Sequence, residues 1–365
     1  MLWYTKRNIA KKEVDDLETK WVKNPEGKID QEAVKEAGDI LRSGGLVAFP
    51  TETVYGLGGD ALNPDSSRKI YAAKGRPSDN PLIVHIADVS DLEKIVESVP
   101  EQAYRLAEHF WPGPLTMIMK KAEIVPSETT GGLSTVAVRL PNHEVALSFI
   151  RAAGGFVAAP SANVSGRPSP TLAKHVYEDM AGRIEMILDG GEVGIGVEST
   201  IVDLTEEVPV ILRPGYVTEE MLAEVLGQVC LDPTILEIDS SCAPKAPGMK
   251  YKHYAPKGQL TIVSGEEERV RQEITRLLQE DQSKGLRTGV IVAGEDENLY
   301  GADVVKVTGG KEDLAAVARS LFRILREFDE ENVEKMYVQS YSREGIGQAV
   351  MNRMLKAAGH RNIEV

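Results

Sequence analysis

The chain has 365 residues, 42% hydrophobic, with 56 acidic against 42 basic side chains and a net charge of −14. That composition belongs to a globular protein with room for one large domain or two unequal ones, and its acidity excludes a broad electrostatic footprint for nucleic acid or anionic membrane, so any anion site must be local. The two cysteines, Cys230 and Cys242, have no nearby metal ligands, which excludes a disulfide framework or zinc site, and neither a signal peptide nor a membrane-spanning run is visible, so a reduced, cytoplasmic protein is expected.

Residues 1–26 read as an N-terminal extension with mixed charges. From Ile29 to Leu41 apolar residues recur at helical spacing, with Asp30 as N-cap and Gly44 as stop. Strands are then predicted at Leu46–Phe49, Leu82–Ile86, Leu115–Met119, Thr135–Leu140, Phe156–Ala159, Ile184–Leu188, Thr200–Leu204 and Val210–Leu212. Helical patterns fall between several of them, around Ser66–Lys74, Leu92–Val96, Gln102–His109, Glu144–Ala152 and Leu172–Met180. Together these give a mixed α/β sheet over 27–226. Residues 227–257 lose periodicity and read as a linker rich in Pro, Ala, Ser and Lys. From 258 to 365, strands at Leu260–Val263, Gly289–Ala293, Val304–Val307 and Met336–Gln339 alternate with helices near Glu267–Leu278, Leu314–Phe328 and Ile346–Ala358, a small Rossmann-like, doubly wound pattern.

Three loops concentrate polar chemistry. Pro50–Gly58 follows a strand, where open α/β sheets place ligands; an ordinary glycine-bearing connection is the equal alternative. Lys74-Gly75-Arg76-Pro77-Ser78-Asp79-Asn80-Pro81 puts a point charge and a planar fork on a proline-stiffened loop, as phosphate binding requires. A helix C-terminus complemented by cations explains Lys74 but not the stiffened Arg76–Asn80 stretch. Pro160–Thr171 is dense in hydroxyls and amides, suited to phosphate or ribose oxygens, with Thr171 as a candidate cap for the next helix; a plain surface turn has the same composition. His85, inside an apolar strand, has the bland reading of a satisfied core histidine. In the linker, Lys250-Tyr251-Lys252-His253-Tyr254 joins aromatics to cations, unusual for an inert tether. Walker A, GxGxxG, HExxH and GxSxG signatures are all absent. The residues alone therefore reach an acidic α/β protein with a local cationic cleft for an anion or nucleotide.

Read in order, Gly45–Gly58, Lys74–Ile86, Ser134–Leu140, Ala158–Thr171, Val197–Asp203 and Leu212–Gly215 resemble the threonylcarbamoyl-adenylate synthase family, whose catalytic unit is the YrdC-like domain. The linker and C-terminal part resemble its longer, two-domain form. The resemblance implies a twisted mixed-sheet α/β domain with a concave site, plus a small Rossmann-like domain. The implied enzyme is a nucleotidyltransferase converting L-threonine, bicarbonate or CO2 and ATP to threonylcarbamoyl-AMP and pyrophosphate, for a separate transferase system that modifies a transfer-RNA adenine. It also implies that Thr53, His85, Arg139, Ala159 and Ser199 line a threonine pocket. Arg76, Asn80, Thr135, Ser161, Ser169 and Arg213 would hold ATP, with Asn163 beside them. Lys74 and Arg76 would neutralise developing phosphate charge, and His253 or Tyr254 would close a linker lid near the nucleotide. Mg²⁺ is expected to ride on the phosphates without protein ligands, and no organic cofactor or extensive nucleic-acid contact is expected. Alternatives are an RNA-docking module, disfavoured by charge, adenylation of another amino acid, or carbamoyl-adenylate formation, whose proteins carry zinc-finger parts that two cysteines cannot supply.

Overall fold

The computed structural model describes residues 17–23, 30–235, 246 and 253–365. Eleven strands among these form one sheet: β1 (Lys20–Val22), β2 (Val47–Phe49), β3 (Gly56–Asp60), β4 (Ile83–His85), β5 (Leu115–Lys120), β6 (Thr135–Arg139), β7 (Val157–Ala159), β8 (Met186–Leu188), β9 (Thr200–Asp203), β10 (Val210–Arg213) and β11 (Cys230–Leu231). Their order is β1-β8-β2-β3-β7-β4-β6-β5-β9-β10-β11, with parallel and antiparallel neighbours mixed.

Helices α1 (Gln31–Arg42) and α5 (Glu144–Ala152) cover one face, burying Ala37, Leu41, Phe149 and Ile150 against Val47, Phe49 and Met186. Asp30 caps α1 by accepting from the backbone N–H groups of Glu32 and Ala33, as its sequence position predicts. The helices touch because Gly38 has no Cβ; one there would lie 2.6 Å from the backbone of Ala152. On the other face lie α2 (Pro64–Lys74), α3 (Leu92–Ile95), α4 (Glu101–Phe110) and α6 (Ala173–Met180), packed on Leu46, Ala48, Leu57 and Val84, with α7 (Glu219–Leu226) beyond α4. Asn63 caps α2 and Gly75, left-handed at φ 62°, ends it, turning the chain into the Arg76–Pro81 loop.

The second sheet is all parallel, ordered β14-β13-β15-β12-β16 from β12 (Gln259–Ser264), β13 (Thr288–Val292), β14 (Val304–Val307), β15 (Lys335–Gln339) and β16 (Asn362–Glu364). Alternation in its strands splits the core. Val263, Val290 and Val292 meet α8 (Glu267–Ser283), while Ile262, Ile291 and Val338 meet α9 (Leu314–Glu330) and α10 (Gly347–Ala357). The α9 and α10 face also buries Val54, Val197 and Tyr254, so one apolar cluster crosses the domain junction.

Several elements differ from the sequence expectation. Residues 20–22, read within the N-terminal extension, pair with β8 as an edge strand, and 230–231, read within the linker, pair with β10. Strands this short leave no periodic trace. β3 falls in a segment whose sequence reads as loop, because three of its five residues are glycine, a poor strand former. Helix α7 and strand β16 were not foreseen. Thr171 does not cap α6: Leu172 occupies the N-cap and makes no side-chain cap bond. The Pro- and Ser-rich linker signal at 236–245 and 247–252 lies outside the described residues.

Candidate active site

Strand register assembles the cleft. In the parallel β4–β6 pair His85 lies opposite Arg139, and in the antiparallel β4–β7 pair Ile83 lies opposite Ala159. Arg139, His85, Ile83 and Ala159 all line the cleft, as do Thr51, Val54 and Gly56 of the segment after β2. Arg139 is buried; its Nη1 donates to Thr53 Oγ1 at 2.9 Å and its Nη2 lies 2.7 Å from the Glu52 carboxylate. Its Nε and Nη2 make no hydrogen bond among the described residues. Buried donors are almost always satisfied, so an edge with Glu52 beside Nη2 and no hydrogen bond made is a candidate receptor for an anionic group. Burial and the Arg139 charge push His85 down to about 3, so its ring is neutral, with Nδ1 3.2 Å from the Ile83 carbonyl. Ser199 Oγ bonds Thr116 Oγ1 at 2.8 Å and accepts from Arg213 Nη2 at 3.1 Å.

The other end of the cleft uses the other two loops. Lys74 is fully buried, and its Nζ donates to the carbonyls of Ser161 and Asn163, pinning the 160–171 loop to the end of α2. Burial, then the neighbouring Arg76, pull its pKa well below the ordinary lysine value. Arg76 donates from Nε to the Asn80 carbonyl at 3.2 Å and from Nη2 to the Pro81 carbonyl at 3.0 Å, which sets the fork. Ser161 Oγ donates to Asn163 Oδ1 at 2.5 Å, and the Asn163 amide bonds back to the Val164 and Arg167 carbonyls. Ser169 Oγ donates to Glu198 Oε1 at 2.6 Å.

Of the residues expected from the sequence, Lys74, Arg76, Ser161, Asn163, Ser169 and Arg213 meet His253 and Tyr254 around one cleft with Arg139, His85, Ala159 and Ser199. Thr53 stands one bond behind, on Arg139. Asn80 and Thr135 are not in the lining. Asn80 is buried and shapes Arg76 through its carbonyl, while Thr135 is half-buried opposite Lys120 at the start of β6.

Two features were invisible in the sequence. Glu52 and Glu198 supply buried carboxylates, and the C-terminal helices brace the cleft. Arg353 of α10, fully buried, donates from Nε to Glu198 at 3.0 Å and from Nη1 to the Pro214 carbonyl at 2.6 Å. Burial favours protonated Glu198, but Arg353 and Arg213 outweigh it and hold its pKa below the usual carboxylate value. Arg326 of α9 donates to the Pro168 carbonyl at 2.6 and 3.1 Å and to Asp179 at 2.9 and 3.3 Å. No local signal finds such pairs, whose partners lie 139 to 158 residues apart.

The end of the linker lines the site through His253 and Tyr254. Tyr254 takes a left-handed backbone at φ 64°, stacks on Phe322 with centroids 5.0 Å apart, and carries Arg353 5.9 Å from its ring. Such a conformation in a non-glycine residue is held by its surroundings. Ala255 N–H bonds the Gly166 carbonyl at 2.8 Å, tying the linker to the 160–171 loop. The neighbouring His253, pushed down to about 3 by burial and Arg76, presents a buried Nε2 with no hydrogen-bond partner among the described residues.

Fold and site define a two-domain α/β protein whose cleft carries a guanidinium fork at one end and cations with hydroxyls at the other. Residues 39–215 match the Sua5_yciO_yrdC family model, described as "Telomere recombination", and residues 217–359 match "Threonylcarbamoyl-AMP synthase, C-terminal domain". The chain is 47% identical over 342 residues to the threonylcarbamoyl-AMP synthase of Pyrococcus abyssi, covering 94% of this chain and 98% of the relative. It is 49% identical over 331 residues to that of Bacillus subtilis, covering 90% and 94%. The crystal structure of P. abyssi Sua5 complexed with L-threonine superposes with a TM-score of 0.89 at 46% identity, over 95% of this chain and 99% of that one. The chain belongs to the threonylcarbamoyl-AMP synthase family.

Proposed function

We propose that the chain condenses L-threonine, bicarbonate or CO2 and ATP into threonylcarbamoyl-AMP and pyrophosphate. The observation that carries this reading is the Nε–Nη2 edge of Arg139, which makes no hydrogen bond among the described residues and serves as an amino-acid carboxylate receptor in the same cleft as Arg76, Arg213, Ser161 and Ser169. Threonine's amine, unprotonated, attacks the carbon of CO2, releasing a proton to solvent, or that of bicarbonate, expelling water as a C–O bond breaks, to give a carbamate. A carbamate oxygen then attacks the α-phosphorus, and the α-phosphorus–oxygen bond to pyrophosphate breaks. Arg76 and Lys74 offset the charge that builds on the phosphates, and the hydroxyls orient them; positioning and electrostatics supply most of the rate. No general base is needed at phosphorus, because the carbamate is already anionic. Neutral His85 contacts the amino acid without carrying its charge.

Mg²⁺ fits this site as a phosphate-borne ion. The described residues hold no cluster of three or more His, Cys, Asp or Glu suited to a metal, and Glu198, the carboxylate lining the cleft, is taken by Arg353 and Ser169. When bound it would add positive charge to the transferring phosphate. Tyr254 and His253 exclude water from the mixed anhydride, and the product passes to a separate transferase for transfer-RNA modification. No helix among the described residues is long and apolar enough to cross a membrane.

Incubation of the pure protein with ATP, Mg²⁺, bicarbonate and threonine, followed by mass spectrometry, tests the proposal. The adenylate should appear with all four present and vanish when threonine or bicarbonate is omitted; its absence from the complete mixture would overturn the assignment.

A further inference from the structure

The tetrapeptide Thr51–Val54 grips Arg139 from two sides, with a hydroxyl at Nη1 and a carboxylate at Nη2. An amino-acid site gains from the hydroxyl; a resident carboxylate competes with its ligand. Glu52 is nonetheless nearly as buried as its partner, with side-chain exposures of 12% and 5%, and sits 2.7 Å away. The contact is close but lies off the N–H directions, since neither Glu52 oxygen, nor Arg139 Nε or Nη2, makes a hydrogen bond among the described residues. Glu52 therefore neutralises the guanidinium without occupying its donors. The arrangement is also fixed. The Glu52 carbonyl accepts from Ile195 N–H at 2.9 Å and the Thr53 carbonyl from Gly196 N–H at 3.1 Å, while Thr51 Oγ1 donates to the Val54 carbonyl at 2.6 Å. An incoming carboxylate thus cannot displace Glu52 by moving the loop.

We propose that Glu52 is a positioning residue, a permanent counter-ion that holds Arg139 ready in the empty site and, by repelling the ligand's carboxylate, limits how tightly amino acid and adenylate product are held. The inference rests on the assignment of Arg139 to the amino-acid carboxylate. A buried guanidinium with no counter-ion is costly, so the empty site needs Glu52. Two carboxylates on one guanidinium repel each other, so the filled site is weakened by it. The product keeps the amino acid's carboxylate and must leave intact, so the weakened grip favours turnover.

Calorimetric titration of the full chain with L-threonine and with L-threoninamide, which lacks the carboxylate charge, tests this. Glu52→Gln keeps the volume and an acceptor oxygen but removes the charge; it should bind L-threonine about tenfold more tightly and leave L-threoninamide unchanged. A merely structural residue would weaken both ligands on replacement. Unchanged or weaker threonine binding in folded Glu52→Gln, or equal shifts for both ligands, overturns the role. If Glu52→Gln does not fold, Glu52→Asp, which draws the charge back by one methylene, should tighten threonine binding selectively, and failure to do so counts equally against it. Absence of threonine binding to the unsubstituted chain would sink the amino-acid assignment as well, whereas normal binding with no selective effect sinks only the part given to Glu52.

Discussion

The two ends of the cleft draw on different amounts of the molecule. At the end proposed for the amino acid, Arg139, Thr53, Glu52 and His85 come from the first domain and order one another directly. At the end proposed for the nucleotide, Ser169, Glu198 and the 160–171 loop lean on Arg353 and Arg326 of the C-terminal helices. The difference teaches that the second domain meets the two ends in different ways. At one it bonds Glu198 and the 160–171 loop through buried arginines; at the other it packs, with Val54 buried in its apolar cluster and Gly196, which bonds the Thr53 carbonyl, close against the α9 backbone.

The sharpest break in that comparison comes from Arg139→Ala. It should lower kcat/KM for threonine about 100-fold or more, because the carboxylate loses its buried partner, while ATP affinity measured by equilibrium binding stays near normal. Comparable losses for both substrates would erase the distinction between the ends. Next is Arg353→Ala, which leaves Glu198 buried without its cation. A stability loss of about 3–5 kcal/mol in denaturant titration is expected, with weaker ATP binding and little change in threonine binding. The pair Arg353→Met with Glu198→Gln should recover most of the stability but not the ATP affinity; recovery of both would show that Arg353 serves stability alone.

Acid should act at both ends. Burial, helped by a neighbouring guanidinium in each case, holds His85 (Arg139), His175 (Arg326) and His253 (Arg76) neutral in the folded chain down to about pH 3, against an ordinary value of 6.5. Below pH 6.5 the unfolded chain therefore binds more protons than the folded one, and stability falls as pH drops from 6.5 toward 3. Melting temperatures between pH 7 and 4 measure this, and proton NMR of the three rings should show no titration from pH 5 to 8. The smallest effect is expected from Tyr254→Ala, a several-fold rise in adenylate hydrolysis or in the KM for ATP; unchanged values would remove the lid from the account.

Much of the scaffold was legible. Long periodic elements such as Gln31–Arg42, Glu144–Ala152 and Leu314–Glu330 stand within two residues of their predicted spans, because one apolar face per helix leaves a repeat that local reading detects. The loops at 74–81 and 160–171 were visible from their proline, hydroxyl and cation content, and they do meet in the cleft. The glycine-rich β3, the three-residue β1 and the two-residue β11 were not, because pairing with a neighbour, not intrinsic preference, makes them strands.

The sequence by itself determined which residues can carry this chemistry: a fork at Arg139, cations at Lys74 and Arg76, and hydroxyls at Ser161 and Ser169. Tertiary structure alone decided how they are used. It committed two of Lys74's donors to loop carbonyls, placed Glu52 beside Arg139, and brought Arg353 across 155 residues to Glu198. The physical reason is that residue type and spacing encode local geometry and charge, whereas the partner of a buried charge is set by which distant segments pack against it.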